Sequence, residues 1–341
     1  MNLTDFLRAL PKAELHLHLE GTILPETLVE LSQRHDGEAA LSLDAARKLY
    51  RYENFFGFLM AFKAVTERLR TPDDYELIAD RMIAQLAAEG VVHAEVYISV
   101  GIIYFRKHIW AEDPELFDHI FAALERARIR GEEQYGISIF WIFDAVRHFP
   151  LEDAWTVFRK AAELRASHPS IIGIGLGGDE ARGPAALFGE HYAEARANGL
   201  RLTCHAGEST GPESIWSALN IGAERLGHAL TARQDAELME LLAERQIPLE
   251  LNITSNLKTG CCPNLEQHPV REYFESGLMV TLNSDDPAMF GSDLLGEYEL
   301  AADFFEFSRE QLRELASNSF EASFLIPETK LYWLKKLESF E

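Results

Sequence analysis

Eight short apolar runs recur along the 341 residues, each followed by a longer segment of mixed polarity. The runs are 13–19, 91–99, 137–144, 171–176, 201–205, 225–228, 248–252 and 279–283. Between them lie amphipathic stretches with helical spacing, such as 73–88, 115–130, 151–166 and 232–244. Strands joined by helical crossovers run parallel, because each crossover returns the chain to the same end of the sheet. Eight such units in a chain of this length predict an α/β fold closed as a (β/α)8 TIM barrel rather than an open doubly wound sheet. The stretch 23–70 is longer than a simple crossover needs. It reads as three helices, at 25–34, 43–50 and 55–69, inserted after strand 1. Long insertions at the C-terminal ends of barrel strands usually cover an active site, so a helical lid is expected here. The tail 296–341 reads as further helices. No tandem repeat, low-complexity tract or linker breaks the pattern, which predicts a single domain over 1–341.

Charge narrows the partners. A formal net charge of −23 repels nucleic acid, whose binding needs Lys and Arg to displace counterions. It also repels an anionic membrane surface. No apolar run approaches the ~20 residues of a membrane span. The N-terminus lacks the basic, apolar and small-residue regions of a signal peptide. A cytoplasmic protein is expected, with neither nucleic acid nor membrane as partner. Cys204, Cys261 and Cys262 form no C-x-x-C pair. Reduced thiols are therefore expected, not a disulfide framework or a cysteine zinc site.

His16-Leu17-His18 ends the first run. Alternation points both imidazoles to one face, which in a barrel strand is the interior. Alone, the pair fits core histidines as well as metal ligands. Other candidates recur at strand ends, however. His205 closes the fifth run, His228 closes the sixth, and Asp285 and Asp286 follow the eighth. All strand ends of a barrel converge on one mouth, and three or more histidines with two aspartates at one point call for a cation. Imidazole and carboxylate without thiolate suit one Zn2+ per chain, with Fe2+ or Mn2+ as alternatives. Three histidines and one carboxylate leave room for a water, whose pKa zinc lowers to about 7.

Glu208, three residues beyond His205, can stand beside that water as a proton shuttle without being a ligand. The plain alternative is a helix N-terminal glutamate interacting with the dipole. His228 is either a further ligand or a base and electrostatic stabiliser. Asp286 can hold substrate or orient the site. Gly177-Gly178, after the fourth run, lets backbone approach a flat ligand closely, or simply makes a tight turn. The glycines of 173–178 are too compact for the dinucleotide pattern, and there is no phosphate loop. Read from these residues alone, the chemistry is metal-assisted hydrolysis.

The motifs go further. PKAELHLHLEG at 11–21, GDE at 178–180, HAGE at 205–208, RLGH at 225–228 and SDDP at 284–287 resemble, in this order and over nearly the whole length, the adenosine deaminase-like branch of the metal-dependent amidohydrolases. The resemblance implies that His16, His18, His205 and Asp285 bind zinc. It implies that Glu208 protonates ring N1 of a 6-aminopurine as hydroxide attacks C6, and that His228 orients the hydroxide. Asp286 would then meet N7, and the Gly178 amide N3. Adenosine deaminases proper usually carry Asp at the position of Glu20, where it reaches the ribose 5′-hydroxyl. The longer Glu20 crowds or shifts that sugar site.

Three more stretches look like a narrower subgroup, the 6-aminodeoxyfutalosine deaminases of menaquinone synthesis: FFGFLMAFK at 55–63, SVGI at 99–102 and WIFDAVR at 141–147. The substrate there carries an aryl carboxylate in place of the 5′-hydroxyl. Phe55 and Phe58, with Phe62, can pack its ring or belong to the core. Arg147 can meet its carboxylate or serve in a structural ion pair. The expected activity is hydrolytic deamination of a small, purine nucleoside-like molecule. 6-Aminodeoxyfutalosine comes first, with adenosine or free adenine as alternatives. Two other classes compete. A two-metal phosphoesterase or lactonase would carry a bridging lysine after strand four, where this chain has Leu176-Gly177-Gly178-Asp179. A non-catalytic nucleoside-binding relative would not need the complete ligand set and Glu208.

Overall fold

The computed structural model describes residues 2–110 and 115–340, with side chains of 107–110 excepted. Its eight parallel strands pair in chain order: β1 (Lys12–His18), β2 (Val91–Ile98), β3 (Ser138–Val146), β4 (Ile171–Gly177), β5 (Arg201–Ala206), β6 (Arg225–His228), β7 (Leu249–Leu251) and β8 (Val280–Leu282). Each lies within two residues of its apolar run, and helices separate the strands. The expected TIM barrel is what the chain forms.

The sheet closes where β8 runs into β1. Leu17 bridges Asp285. His18 N donates to Asp285 O at 2.9 Å, and Asp285 N donates to His16 O at 3.0 Å. Closure removes the free sheet edges that would otherwise expose unpaired amides. The helix Arg309–Ala322 covers the seam from outside. Ser319 Oγ accepts from Ala13 N at 2.9 Å, and Asn318 Nδ2 donates to Val280 O at 3.0 Å.

The stretch after β1 contains helices Pro25–His35, Leu43–Leu49 and Phe55–Thr66, followed by the crossover helix Pro72–Ala88. Their starts are written locally. Ser42 and Asn54 each accept a backbone N–H of the following turn, and Thr71 forms a capping box with Asp74 ahead of Pro72,. The helix expected to reach residue 69 stops at Thr66. Its last residues tighten into three-residue turns, Arg68 N to Val65 O and Leu69 N to Thr66 O,. The stretch 232–244 also divides, into a short 3-10 turn (Ala232–Gln234) and the helix Ala236–Arg245. Asp235 caps that helix from within, accepting from Leu238 N. Among the described residues, no helix is long and apolar enough to cross a membrane.

Barrel interiors are mostly filled by branched apolar side chains. This one has an ionic layer. Arg225 on β6 lies against Glu95 on β2, and its Nε is 2.6 Å from Glu250 on β7. All three are buried. Burial opposes the charge on Glu95, but Arg225, His93 and the Phe324 amide together outweigh it and hold the carboxyl at about 2, below the usual 4.5. The group's stabilising contribution is therefore complete above pH 4.5 and is lost as pH falls towards 2,. Breaking a buried pair from one side costs about 3–5 kcal/mol, because the other charge stays buried. Glu95→Ala should lose stability on that scale in urea unfolding at pH 7, and its stability should fall less steeply in acid. An acid limb identical to that of the parent protein would remove Glu95 from this account.

Candidate active site

Closure of the barrel assembles the site. His16 and His18 alternate on β1 and so point inward, and the two seam hydrogen bonds set Asp285 beside them. Asp285 pays locally for this position: its φ is +62°, a region that costs a residue with a Cβ about 1–3 kcal/mol. His228, at the end of β6, is also left-handed at φ +66°. Two of the strained residues are thus site residues, held there by the surrounding barrel.

The nitrogen and oxygen atoms converge. Asp285 Oδ1 lies 3.4 Å from His16 Nε2 and 3.5 Å from His18 Nε2. His18 Nε2 and His205 Nε2 are 3.2 Å apart. Donor atoms of His16, His205, His228 and Asp285 lie within 4.8 Å of one another, and so do those of His18, Asp285 and Asp286. Every ligand expected from the sequence is in the cluster. His16 Nδ1 meets Glu250 Oε2 at 2.7 Å. The carboxylate accepts the Nδ1 hydrogen and so turns Nε2 towards the cluster. That Nε2 is buried and has no hydrogen-bond partner among the described residues. Burial also pushes His18 down to about 4 and His228 to about 3, so both rings are neutral, and His18 has a lone pair to offer. An orphaned imidazole nitrogen, neutral neighbours and one carboxylate fit a zinc ion.

Glu208 stands on one side of the cluster, in the turn after β5. Its backbone N–H donates to Glu180 Oε1 at 3.1 Å, and the Thr210 hydroxyl donates to the other Glu180 oxygen. Burial, then the charges of Asp285 and Glu180, push the Glu208 carboxyl well above the usual range. Glu208 Oε2 is 3.7 Å from His228 Nε2. On the other face of that ring, the amides of Asn252 and Asn256 reach His228 Nδ1 at 3.1 and 2.9 Å. With Nδ1 accepting, Nε2 carries the hydrogen and presents it towards Glu208. Ser255 Oγ donates to Asp285 Oδ2 at 2.5 Å.

Asp286 is buried beside Asp285, and its Oδ1 has no partner among the described residues. Gly178 sits at φ +94°, and a Cβ there would meet the His148 ring at 2.9 Å, so only glycine fits,. Glu20 is buried, and both its oxygens are held by Ser99, through N at 3.0 Å and Oγ at 3.1 Å. Arg147 is buried too. Its Nε donates to Gly183 O at 2.6 Å and its Nη1 to His205 O at 2.8 Å, while Nη2 has no partner among the described residues. Phe58 packs in an aromatic cluster with Tyr52, Phe55, Phe62 and Phe290, its ring 5.1 Å from that of Phe290. Phe55 and Phe56 instead face a cavity of about 740 Å3 that opens onto Glu208, Thr231, Thr259 and Cys261 and whose lining holds no Lys or Arg.

Several contributors were not singled out from the sequence: Glu180, Glu250, Asn252, Ser255 and Asn256. Glu250 leaves a trace, a single charge inside the apolar run Pro248-Leu249-Glu250-Leu251. The asparagines leave none, because amides also populate ordinary loops.

The family model for adenosine deaminase matches residues 11–339. An aminodeoxyfutalosine deaminase from Streptomyces avermitilis is 38% identical over 326 residues, spanning 95% of this chain and 89% of that protein. Among solved structures, the adenine deaminase of Arthrobacter aurescens aligns with a TM-score of 0.88 at 30% identity, over 97% of this chain and 98% of that one. An amidohydrolase from Burkhoderia ambifaria with bound zinc aligns with a TM-score of 0.88 at 26% identity, over 100% and 94% of the two chains.

Two glycines make room for the cluster. A Cβ on Gly21 would fall 2.1 Å from Asp286 Oδ1, and one on Gly227 would fall 2.6 Å from His16 Cε1. Gly227→Ala should lower metal content measured by elemental analysis, and Gly21→Ala should retain the metal while displacing Asp286 and losing turnover. Full metal occupancy in Gly227→Ala would show that His16 is not a ligand.

Proposed function

The chain belongs to the adenosine deaminase family, and from that premise we propose that it hydrolyses the 6-amino group of 6-aminodeoxyfutalosine, giving futalosine for menaquinone synthesis, with one zinc held by His16, His18, His205 and Asp285. It is a hydrolytic deaminase of that family. The observation that carries the reading is the convergence of these donor atoms beside Glu208, a buried carboxyl pushed above its usual range. The substrate assignment rests on the 38% identity to the Streptomyces avermitilis enzyme and on the stretches 55–63, 99–102 and 141–147. Free adenine is the second reading. It is favoured by the likeness to the Arthrobacter aurescens adenine deaminase and by a cavity without a cationic side chain.

When bound, zinc lowers the pKa of a water to about 7. The protein's own groups do the rest. Glu208 gives a proton to ring N1 as the water oxygen adds to C6 and takes one back from that oxygen, which relieves the charge that addition builds on the ring. His228, its Nε2–H fixed by Asn252 and Asn256, donates a hydrogen bond to the incoming oxygen. Asp286, whose carboxyl burial pushes well above the usual range and whose Oδ1 has no partner among the described residues, donates to N7, and the Gly178 amide donates to N3. Glu208 then passes its proton to the amino nitrogen and recovers the one on the C6 oxygen, so that the tetrahedral carbon expels ammonia and leaves a 6-oxopurine. Glu20 bounds the sugar region, Phe55 packs the distal ring with Phe58 supporting it from behind, and Arg147 offers Nη2 to its carboxylate. The reading is of a single domain acting on a small molecule in the cytoplasm, without nucleic acid or a membrane as partner.

The test is an ultraviolet assay of zinc-loaded protein against 6-aminodeoxyfutalosine, adenosine and adenine. A kcat/KM highest for the first supports the assignment, a preference for adenine moves it to the second reading, and no ammonia from any of the three sinks both. Glu208→Gln should keep the metal and lose about 10²–10⁴-fold in kcat. Arg147→Ala should raise KM for the anionic substrate more than for adenosine. An equal rise for both would reduce Arg147 to its two backbone contacts.

A further inference from the structure

The end of β3 carries a carboxyl that the mechanism above does not use. Asp144 is buried at the same rim of the barrel as His205, and its Oδ1 has no hydrogen-bond partner among the described residues. A buried acceptor without a partner is costly and rarely kept without a reason. The neighbouring strand makes room for it. Asp144 pairs in register with Gly175 on β4, and a Cβ on Gly175 would lie 2.7 Å from Asp144 Oδ1. A Cβ on Gly177 would lie 2.9 Å from Asp144 Oδ2 and, on its other side, 3.4 Å from His205 Cε1 and 3.6 Å from His205 Nδ1. The glycine stripe of β4 is thus the gap through which the Asp144 carboxyl and the His205 imidazole face each other.

His205 has a reason to need that carboxyl. Its Nε2 lies 3.2 Å from His18 Nε2, at the point where the donor atoms converge. A ligating imidazole that uses Nε2 carries its hydrogen on Nδ1, and such rings almost always donate it to a carboxylate, carbonyl or water. His16 has its carboxylate in Glu250, at 2.7 Å. Glu20 is spoken for by Ser99. The glycines of β4 put Asp144 across from the Nδ1 edge of His205. The same strand end already grips His205 once, through Arg147 Nη1 to its carbonyl oxygen at 2.8 Å.

We propose that Asp144 is the positioning residue of His205, accepting the Nδ1 hydrogen across the glycine gap and so aiming Nε2 at the metal. This rests on the zinc centre proposed above, but its test needs no substrate. The parent protein, Asp144→Asn and Asp144→Ala would be loaded with zinc and with cobalt, and metal affinity measured by chelator competition. Asp144→Ala should bind about 10–100-fold more weakly. Asp144→Asn, which keeps an acceptor oxygen, should lose several-fold and shift the visible cobalt spectrum. The metal-free variants should melt no lower than the parent, because each removes a buried carboxyl that lacks a partner. Unchanged affinity in both variants would overturn the proposal. So would a metal-free melting temperature that falls in step with affinity, the mark of a merely structural residue. If Asp144→Ala does not fold, Asp144→Asn decides alone, by its affinity and its cobalt spectrum. A parent protein that binds no divalent metal would instead overturn the zinc centre itself, and this inference with it.

Discussion

Two backbone hydrogen bonds at the seam between β8 and β1 carry more of this structure than their number suggests. His18 N to Asp285 O and Asp285 N to His16 O close the barrel and, in the same act, bring the last carboxylate of the cluster to its first two imidazoles. These residues come from opposite ends of the chain. No local preference can set their separation; only the closed hydrogen-bond ladder can. The left-handed φ of Asp285 is the local cost, borne because both the amide and the carbonyl of that residue are committed to β1.

The interior beneath the cluster obeys the same logic. Glu250 uses one oxygen on Arg225 Nε, at 2.6 Å, and the other on His16 Nδ1, at 2.7 Å. The ionic layer and the metal-facing imidazole are therefore one connected system. Buried ion pairs contribute little net stability compared with apolar packing, so stability alone does not account for filling a barrel with Arg225, Glu95 and Glu250. Orientation does: the layer fixes which nitrogen of His16 faces the centre. On the opposite side, Asn252 and Asn256 do the same for His228, and Glu180 does it for the turn that carries Glu208.

Much of this was legible without the structure, and the reasons are specific. The strands were visible because each is a short apolar run between amphipathic segments. The candidate ligands His16, His18, His205 and Asp285, and His228 beside them, were visible because they sit at or just beyond strand ends, which a barrel gathers at one mouth. Helix boundaries were less so. The helix from Phe55 ends at Thr66, and Asp235 splits the stretch 232–244, because single caps and three-residue turns override periodicity. Side-chain partners were the least visible. Glu20 is engaged by Ser99 from β2, and Arg147 by the carbonyls of Gly183 and His205.

The division has one physical cause. Periodicity along a strand states which way a side chain points relative to its own backbone, and that is local information. By itself the sequence determined the βα alternation, the closed barrel, and the imidazoles and carboxylates that would meet at its mouth. Which group each side chain then touches depends on the register of neighbouring strands and on where the ring closes. Only the tertiary structure decided that Glu250 holds the proton side of His16, that two asparagines set the tautomer of His228, and that glycines on β4 open a path from Asp144 to His205. Those contacts join residues with no sequence relation to one another, and they exist only once eight strands have been brought into one ring.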